Sequence, residues 1–300
     1  MITKLSQIID AVLSRPRKRL VVAYAQDSHT LQSVGEAVDR GIVDATLIGD
    51  PAEIGRICRE EGIDEGKFTI IAESVDVKCV AMAVQMIHEG KADILMKGLV
   101  STDKYMRGIL NKEYGLVPPK GVLSHVVVLQ LPDYPRLLLA SDVAVIPAPE
   151  LSQKVAIAKY LIRTAEALGN DNPRMAFIAP SEQMLPGIPS CVDAAILAKM
   201  ADRGQLGRVT ADGPLALDVA LFEEAARTKK LTSPVAGHAD CLLFPNLDAA
   251  NVFFKSSTKL AHAELAGMVV GTKAPCVLTS RDDSKASKLY SIALAALSAR

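Results

Sequence analysis

What most constrains this chain is a repeated change of period, in which short apolar runs suited to buried strands are each followed by a stretch with helical spacing. The runs fall at 19–25, 45–48, 68–71, 93–96, 121–130, 137–140, 175–179, 208–211, 241–244 and 274–278. Helical patterns fill most of the gaps, for example 75–89, 152–168, 192–203, 215–229 and 284–298. Continuous apolar strands alternating with helices predict mostly parallel sheets covered on both faces. One pair departs from this. The runs 121–130 and 137–140, joined across Leu131-Pro-Asp-Tyr-Pro135, predict an antiparallel hairpin.

That departure, close to Pro118-Pro119, marks a domain boundary. A second boundary near 271–275 returns the last strand and helix to the first domain. The expectation is an α/β protein of two α/β domains with mostly parallel sheets and a cleft between them. The first domain covers 1–120 plus 274–300 and the second covers 121–273. A length of 300 residues suits two domains of ordinary size.

Composition removes several classes of function. Basic and acidic residues balance at 34 each, so no overall attraction for a polyanion exists. Aromatic residues make up 4% with no Trp, which leaves few platforms for stacked bases. No nucleic-acid partner is expected. No apolar run has the length to cross a bilayer, and the opening segment places its basic cluster after a helix, unlike a secretory signal. A cytoplasmic protein is therefore expected; Asp10 and the immediate run into a strand count against a mitochondrial presequence. Cys58, Cys79, Cys191, Cys241 and Cys276 are scattered singly and the five histidines are dispersed, so buried thiols and no metal site are expected.

In open α/β sheets, ligands gather beyond the carboxyl ends of strands, where helix N-termini offer free N–H groups to anions. Four junctions carry polar residues beyond what a turn requires. In the first, Lys97-Gly98 ends a strand, Ser101 or Thr102 can cap the next helix, and Arg107 can reach back toward that end. The group would seat a phosphate; alternatively, the hydroxyls merely cap and Arg107 pairs with Asp103 at helical spacing. In the second, a strand runs into Ser280-Arg281 ahead of the final helix, where the arginine either binds a ligand or bridges domains. In the third, Gly213 makes a tight turn, Pro214 takes the first helical position, and Asp212 either orients a ligand or caps. In the fourth, Asn246 and Asn251 either bond a ligand or serve their own turn, and Lys255, at helical spacing from Asn251, would face the cleft. No GxGxxG or GxSxG occurs, and Gly62 to Lys67 fails as a phosphate loop by one residue. His125 sits in an apolar strand and reads as a core histidine.

Five segments in order, KGLVSTDKYMR (97–107), SEQMLPGIPSCVDAAILAKMADRGQL (181–206), DGPLALD (212–218), ADCLLFPNLDAANVFFK (239–255) and TSRDDSKASKLYSI (279–292), resemble the phosphate acetyl/butyryl transferase family. The resemblance runs over most of the chain. It implies reversible acyl transfer between coenzyme A and inorganic phosphate, by direct thiolate attack on an acyl phosphate in a ternary complex. It implies two domains related to the isocitrate and isopropylmalate dehydrogenases, with the active site in the cleft. Coenzyme A and acyl-CoA would be substrates, with no permanent cofactor, and a homo-oligomer is expected. Ser280 and Arg281 match the family's Ser-Arg pair, and Arg107 its phosphate-binding arginine. Lys97, Ser101, Thr102, Asp212, Asn251 and Lys255 would contact phosphate or substrate. Such guanidinium clamps neutralise two anionic substrates, and losing one oxyanion donor costs about 3 kcal/mol in the barrier.

The compact length and the SRDDS ending resemble the butyryl branch more than the acetyl branch. Two positions depart from the family pattern. Ser287, followed by Lys288, stands where acetyl-type members have an aspartate proposed as thiol base; Asp282 or Asp283 would substitute for it, or a lysine would stabilise the thiolate directly. Ala250 stands where the family usually has glycine. Three other readings remain: transfer of acetyl, a two-domain dehydrogenase, and a silent CoA-binding protein. The missing nucleotide signature and metal-binding carboxylates count against the dehydrogenase.

Overall fold

The computed structural model describes residues 1–279 and 283–299, which divide into two compact units. One comprises Leu5–Leu123 with Leu265–Arg300, the other Met1–Lys4 with Ser124–Glu264.

In the first unit the strands β1 (Lys18–Ala23), β2 (Val43–Gly49), β3 (Thr69–Ala72) and β4 (Ile94–Lys97) are joined by α2 (Ser28–Asp39), α3 (Pro51–Glu61) and α4 (Asp76–His88). The helix α1 (Ser6–Leu13) precedes them and α5 (Thr102–Ile109) follows. After the excursion into the other unit the chain returns with β10 (Glu264–Val270), β11 (Cys276–Val277) and α11 (Lys285–Ser298). The strand order here is β3-β2-β1-β4-β11-β10, parallel throughout except for β10 against β11. Leu20–Ala23 and Ile94–Met96 are almost wholly inaccessible, as strands covered on both faces must be. Helix α11 is buried on most of its circumference, from Leu289 through Ile292 to Leu297, and packs on α1 and α2.

The second unit contains β5 (Ser124–Gln130), β6 (Leu138–Ser141), α6 (Leu151–Ala167), β7 (Arg174–Ile178), α7 (Pro189–Asp202), β8 (Thr210–Leu215), α8 (Leu217–Leu221), α9 (Glu223–Thr228), β9 (Cys241–Leu243) and α10 (Leu247–Lys259). Its order is β5-β6-β9-β7-β8. The expected hairpin is present: β5 and β6 pair antiparallel with Val127 opposite Ala140, while the other pairings are parallel.

Three sequence expectations need correction. Strand β10 lies where no strand was expected, because it runs antiparallel beside β11 with no helix between them and so interrupts the alternation. The expected helix 215–229 is two short helices, α8 and α9, broken at Phe222, whose extended backbone (φ −123°, ψ 122°) ends one and starts the other. Gly213 and Pro214 make no turn into a helix but sit inside β8. A Cβ at Gly213 would lie 2.7 Å from the Phe177 Cβ and 3.0 Å from its carbonyl oxygen, so glycine is what lets β8 close against β7.

Among the described residues, no helix is long and apolar enough to cross a membrane.

Candidate functional site

Three neighbouring parallel strands, β1, β4 and β11, end at the same edge of the first unit, and their helices α2, α5 and α11 begin there. The turns after β1 and β4 are knitted tightly. Tyr24 adopts φ 62°, and its carbonyl accepts from the Leu99 amide at 2.9 Å, while Gly98 donates to Ala23 at 2.9 Å. A Cβ on Gly98 would lie 2.2 Å from the Tyr24 oxygen, so this approach is open to glycine alone. A left-handed non-glycine residue costs about 1–2 kcal/mol, and such strain persists where surrounding bonds hold it.

The helix starts are capped by side chains. The Asp27 carboxylate accepts from Thr30 N at 2.8 Å at the head of α2, and Ser101 accepts from Lys104 N at 3.4 Å at the head of α5. Ser284 accepts from Ser287 N at 3.1 Å at the head of α11. Below these turns Tyr105, fully buried, points its hydroxyl at the carbonyls of Leu95 and Val277, 3.3 and 3.2 Å away, tying α5 to both β4 and β11. Burial pushes its phenol well above the usual value, so it stays neutral.

Between the strand ends lies a cavity of about 200 Å³ lined by Asp27, His29, Thr30, Lys97, Gly98, Leu99, Thr279 and Lys288. Two of these are buried lysines. Lys97 is 6% exposed and its Nζ donates to the carbonyls of Gly98 and Val100, both at 3.0 Å, which offsets the cost of burying its charge. Lys288, on the first turn of α11, is 3% exposed and its Nζ donates to Thr279 Oγ1 at 3.2 Å. Burial lowers its pKa below the ordinary lysine value, opposed by the negative charges of Asp27 and Asp283. A cavity with this lining favours an anion or a polarisable group able to share a proton.

Of the residues singled out from sequence, Lys97 lines this cavity. Ser101 and Thr102 lie at the exposed start of α5 and do not line it. Arg107 lies in the last turn of α5, its guanidinium paired with Asp103 at 3.1 Å and its side chain 78% exposed, which is the helical-spacing alternative. Ser280 and Arg281 lie outside the described residues. In the second unit, Asp212 sits within β8, not at its end, and its carboxylate accepts from Gly213 N at 2.8 Å. Asn251 donates to the Val143 carbonyl at 3.2 Å, and the Lys255 ammonium lies 5.0 Å from the Phe254 ring centre, both on α10. Asn246 caps α10 through Ala249 N at 3.0 Å.

Sequence reasoning passed over the β1–α2 junction. Its signal is visible in hindsight: Gln26-Asp27-Ser28-His29-Thr30 puts five polar residues where an apolar strand stops. No group of carboxylates, histidines and cysteines able to hold a metal occurs among the described residues.

This arrangement belongs to an α/β protein whose parallel strands β1 and β4 end at a cavity walled by two buried lysines. The sequence profile described as "Phosphate acetyl/butaryl transferase" matches residues 4–79 and 67–296, and the chain belongs to this family of acyltransferases. It is similar to phosphate butyryltransferase of Clostridium acetobutylicum, 46% identical over 99% of this chain and 98% of that one. It is also similar to phosphate acetyltransferase of Thermotoga maritima, 40% identical over 93% and 95% of the two chains. Among solved structures, a branched-chain phosphotransacylase from Enterococcus faecalis matches with a TM-score of 0.81 at 30% identity, covering 94% and 98%.

Proposed function

We propose that the protein transfers a short-chain acyl group, butyryl by preference, between coenzyme A and inorganic phosphate. The observation that carries the reading is a coincidence in space. Lys97, Gly98 and Leu99 of one family-like segment and Thr279 and Lys288 of another line a single cavity at the ends of β4 and β11. The names of two similar proteins, 46% and 44% identical, favour butyryl over acetyl. In this reading the CoA thiolate attacks the acyl phosphate directly, without an acyl-enzyme. Ser280 and Arg281 stabilise the oxyanion and the departing phosphate.

Arg107 would exchange Asp103 for substrate phosphate. An exposed helical ion pair contributes only about 0–1 kcal/mol, so a doubly charged phosphate displaces it at little cost. Lys97, Ser101 and Thr102 would complete the phosphate seat, and Asp212, Asn251 and Lys255 would be substrate contacts. The two units would be the two domains of an isocitrate/isopropylmalate dehydrogenase-like architecture. Purified protein should release thiol from butyryl-CoA faster than from acetyl-CoA, and only when phosphate is added. Equal release without phosphate would point to a thioesterase. Arg281→Ala should lower turnover by orders of magnitude.

A further inference from the structure

The sites discussed so far account for the two anionic substrates and leave one chemical task unassigned. In the direction that consumes acyl phosphate, the CoA thiol must lose a proton before its sulfur becomes a nucleophile. A thiol with a pKa of about 8.5 is only a few per cent thiolate near neutrality, so a group that accepts the proton at the site raises the rate.

The cavity at the ends of β1, β4 and β11 narrows the choice among the described residues. Asp27 is engaged as the cap of α2, and His29 is solvent-exposed on the same helix. Lys97 donates to two backbone carbonyls at 3.0 Å, so its Nζ is engaged as a donor. Lys288 differs from all three. It is almost wholly buried at the cavity wall, on the first turn of α11, and its Nζ donates to a hydroxyl, Thr279 Oγ1. A hydroxyl can donate to a neutral amine or accept from an ammonium, so Thr279 serves both protonation states. The charged groups facing it are Asp27 from the start of α2, Asp283 from the approach to α11, and Lys97 and His29 across the cavity.

We infer that Lys288 is the proton carrier for the CoA thiol. This rests on the acyl-transfer reading above. The neutral amine takes the thiol proton and becomes an ammonium beside the new thiolate. Sulfur then forms its bond to the acyl carbon as the carbon–oxygen bond to phosphate breaks. The ammonium returns the proton to the leaving phosphate oxygen, giving acyl-CoA and HPO4²⁻ and restoring the amine. No other reactant enters. The lowered pKa of Lys288 agrees with this role, since an ordinary lysine would stay protonated at neutral pH.

The test is kcat/KM for butyryl phosphate plus CoA from pH 6 to 9 in wild type, Lys288→Arg and Lys288→Ala. Without a proton carrier the rate follows the small thiolate fraction in solution. Both variants should therefore lose about 100-fold or more at pH 6.5, with the loss shrinking steadily as pH approaches the thiol pKa of about 8.5. Because both directions share one transition state, butyryl-CoA plus phosphate should show the same loss at each pH. Ethylamine added to Lys288→Ala should restore activity in its unprotonated form. A loss of constant size at every pH, together with no rescue, would mean a structural role and overturn the inference. So would a loss under threefold. Wild type that makes no acyl-CoA from butyryl phosphate would instead overturn the acyl-transfer reading, and this inference with it.

Discussion

Replacing Gly98 by Ala tests whether the strand ends are packed as described. The new Cβ would lie 2.2 Å from Tyr24 O, 2.8 Å from Tyr24 C and 2.9 Å from Ala23 O, all of them backbone atoms that no side-chain rotation can move aside. Relief requires the β1 and β4 turns to separate by about 1 Å, which breaks or strains the Gly98–Ala23 and Leu99–Tyr24 bonds, both 2.9 Å. Two hydrogen bonds at about 1 kcal/mol each, plus about 1–3 kcal/mol of overpacking, give a loss of about 3–5 kcal/mol. At about 2–4 °C per kcal/mol, thermal unfolding followed by circular dichroism should fall by roughly 6–20 °C. Gly90→Ala is the control. Its φ is 70° but nothing lies within 4 Å, so the cost there is backbone strain alone, about 1 kcal/mol. A midpoint for Gly98→Ala equal to or above that of Gly90→Ala would refute the argument from crowding.

Other expectations follow from single contacts. Tyr105→Phe removes a side-chain donor from the Leu95 and Val277 carbonyls and should cost about 1–3 kcal/mol in denaturant unfolding, with the m-value unchanged. The Lys154–Asp193 pair, 2.6 Å apart, is lopsided: the lysine side chain is 7% exposed and the aspartate 26%. Asp193→Ala strands a buried ammonium and should cost about 3 kcal/mol, whereas Lys154→Met leaves a carboxylate with access to water and should cost less. Asp93 is held below the usual carboxyl range by hydrogen bonds from Arg19, so its contribution is complete above about pH 5 and fades as pH falls through its lowered folded-state value. Asp93→Asn should therefore be less stable than wild type at pH 7, with the gap narrowing as the pH falls into the acid range. All five cysteines are buried, with Cys79 raised to about 11 and Cys276 to about 12, so native protein should resist a disulfide reagent at pH 8 and yield five thiols once unfolded.

The sequence made the alternating strands, the 121–140 hairpin and the family membership legible, because a parallel sheet buried on both faces writes itself as apolar runs. It hid β10, whose antiparallel neighbour removes the intervening helix that the pattern depends on. It also misplaced Gly213-Pro214, since local turn chemistry gave way to the close packing of β8 on β7. At the site, Lys97 was found because it ends a strand. Lys288 was harder to read. It lies within a helix, four residues after the Ser284 cap, and only the packing of α11 against β11 turns it into the cavity. Arg107 illustrates the reverse: its spacing from Asp103 satisfies a surface ion pair as well as a phosphate clamp, and the sequence does not choose between them.

The most direct trial of the whole account is to incubate the protein with butyryl-CoA and inorganic phosphate and follow phosphorus by magnetic resonance. The account predicts a new acyl phosphate resonance that grows in equal amount with free CoA. Free CoA accompanied by butyrate, with the phosphate signal unchanged, would contradict it.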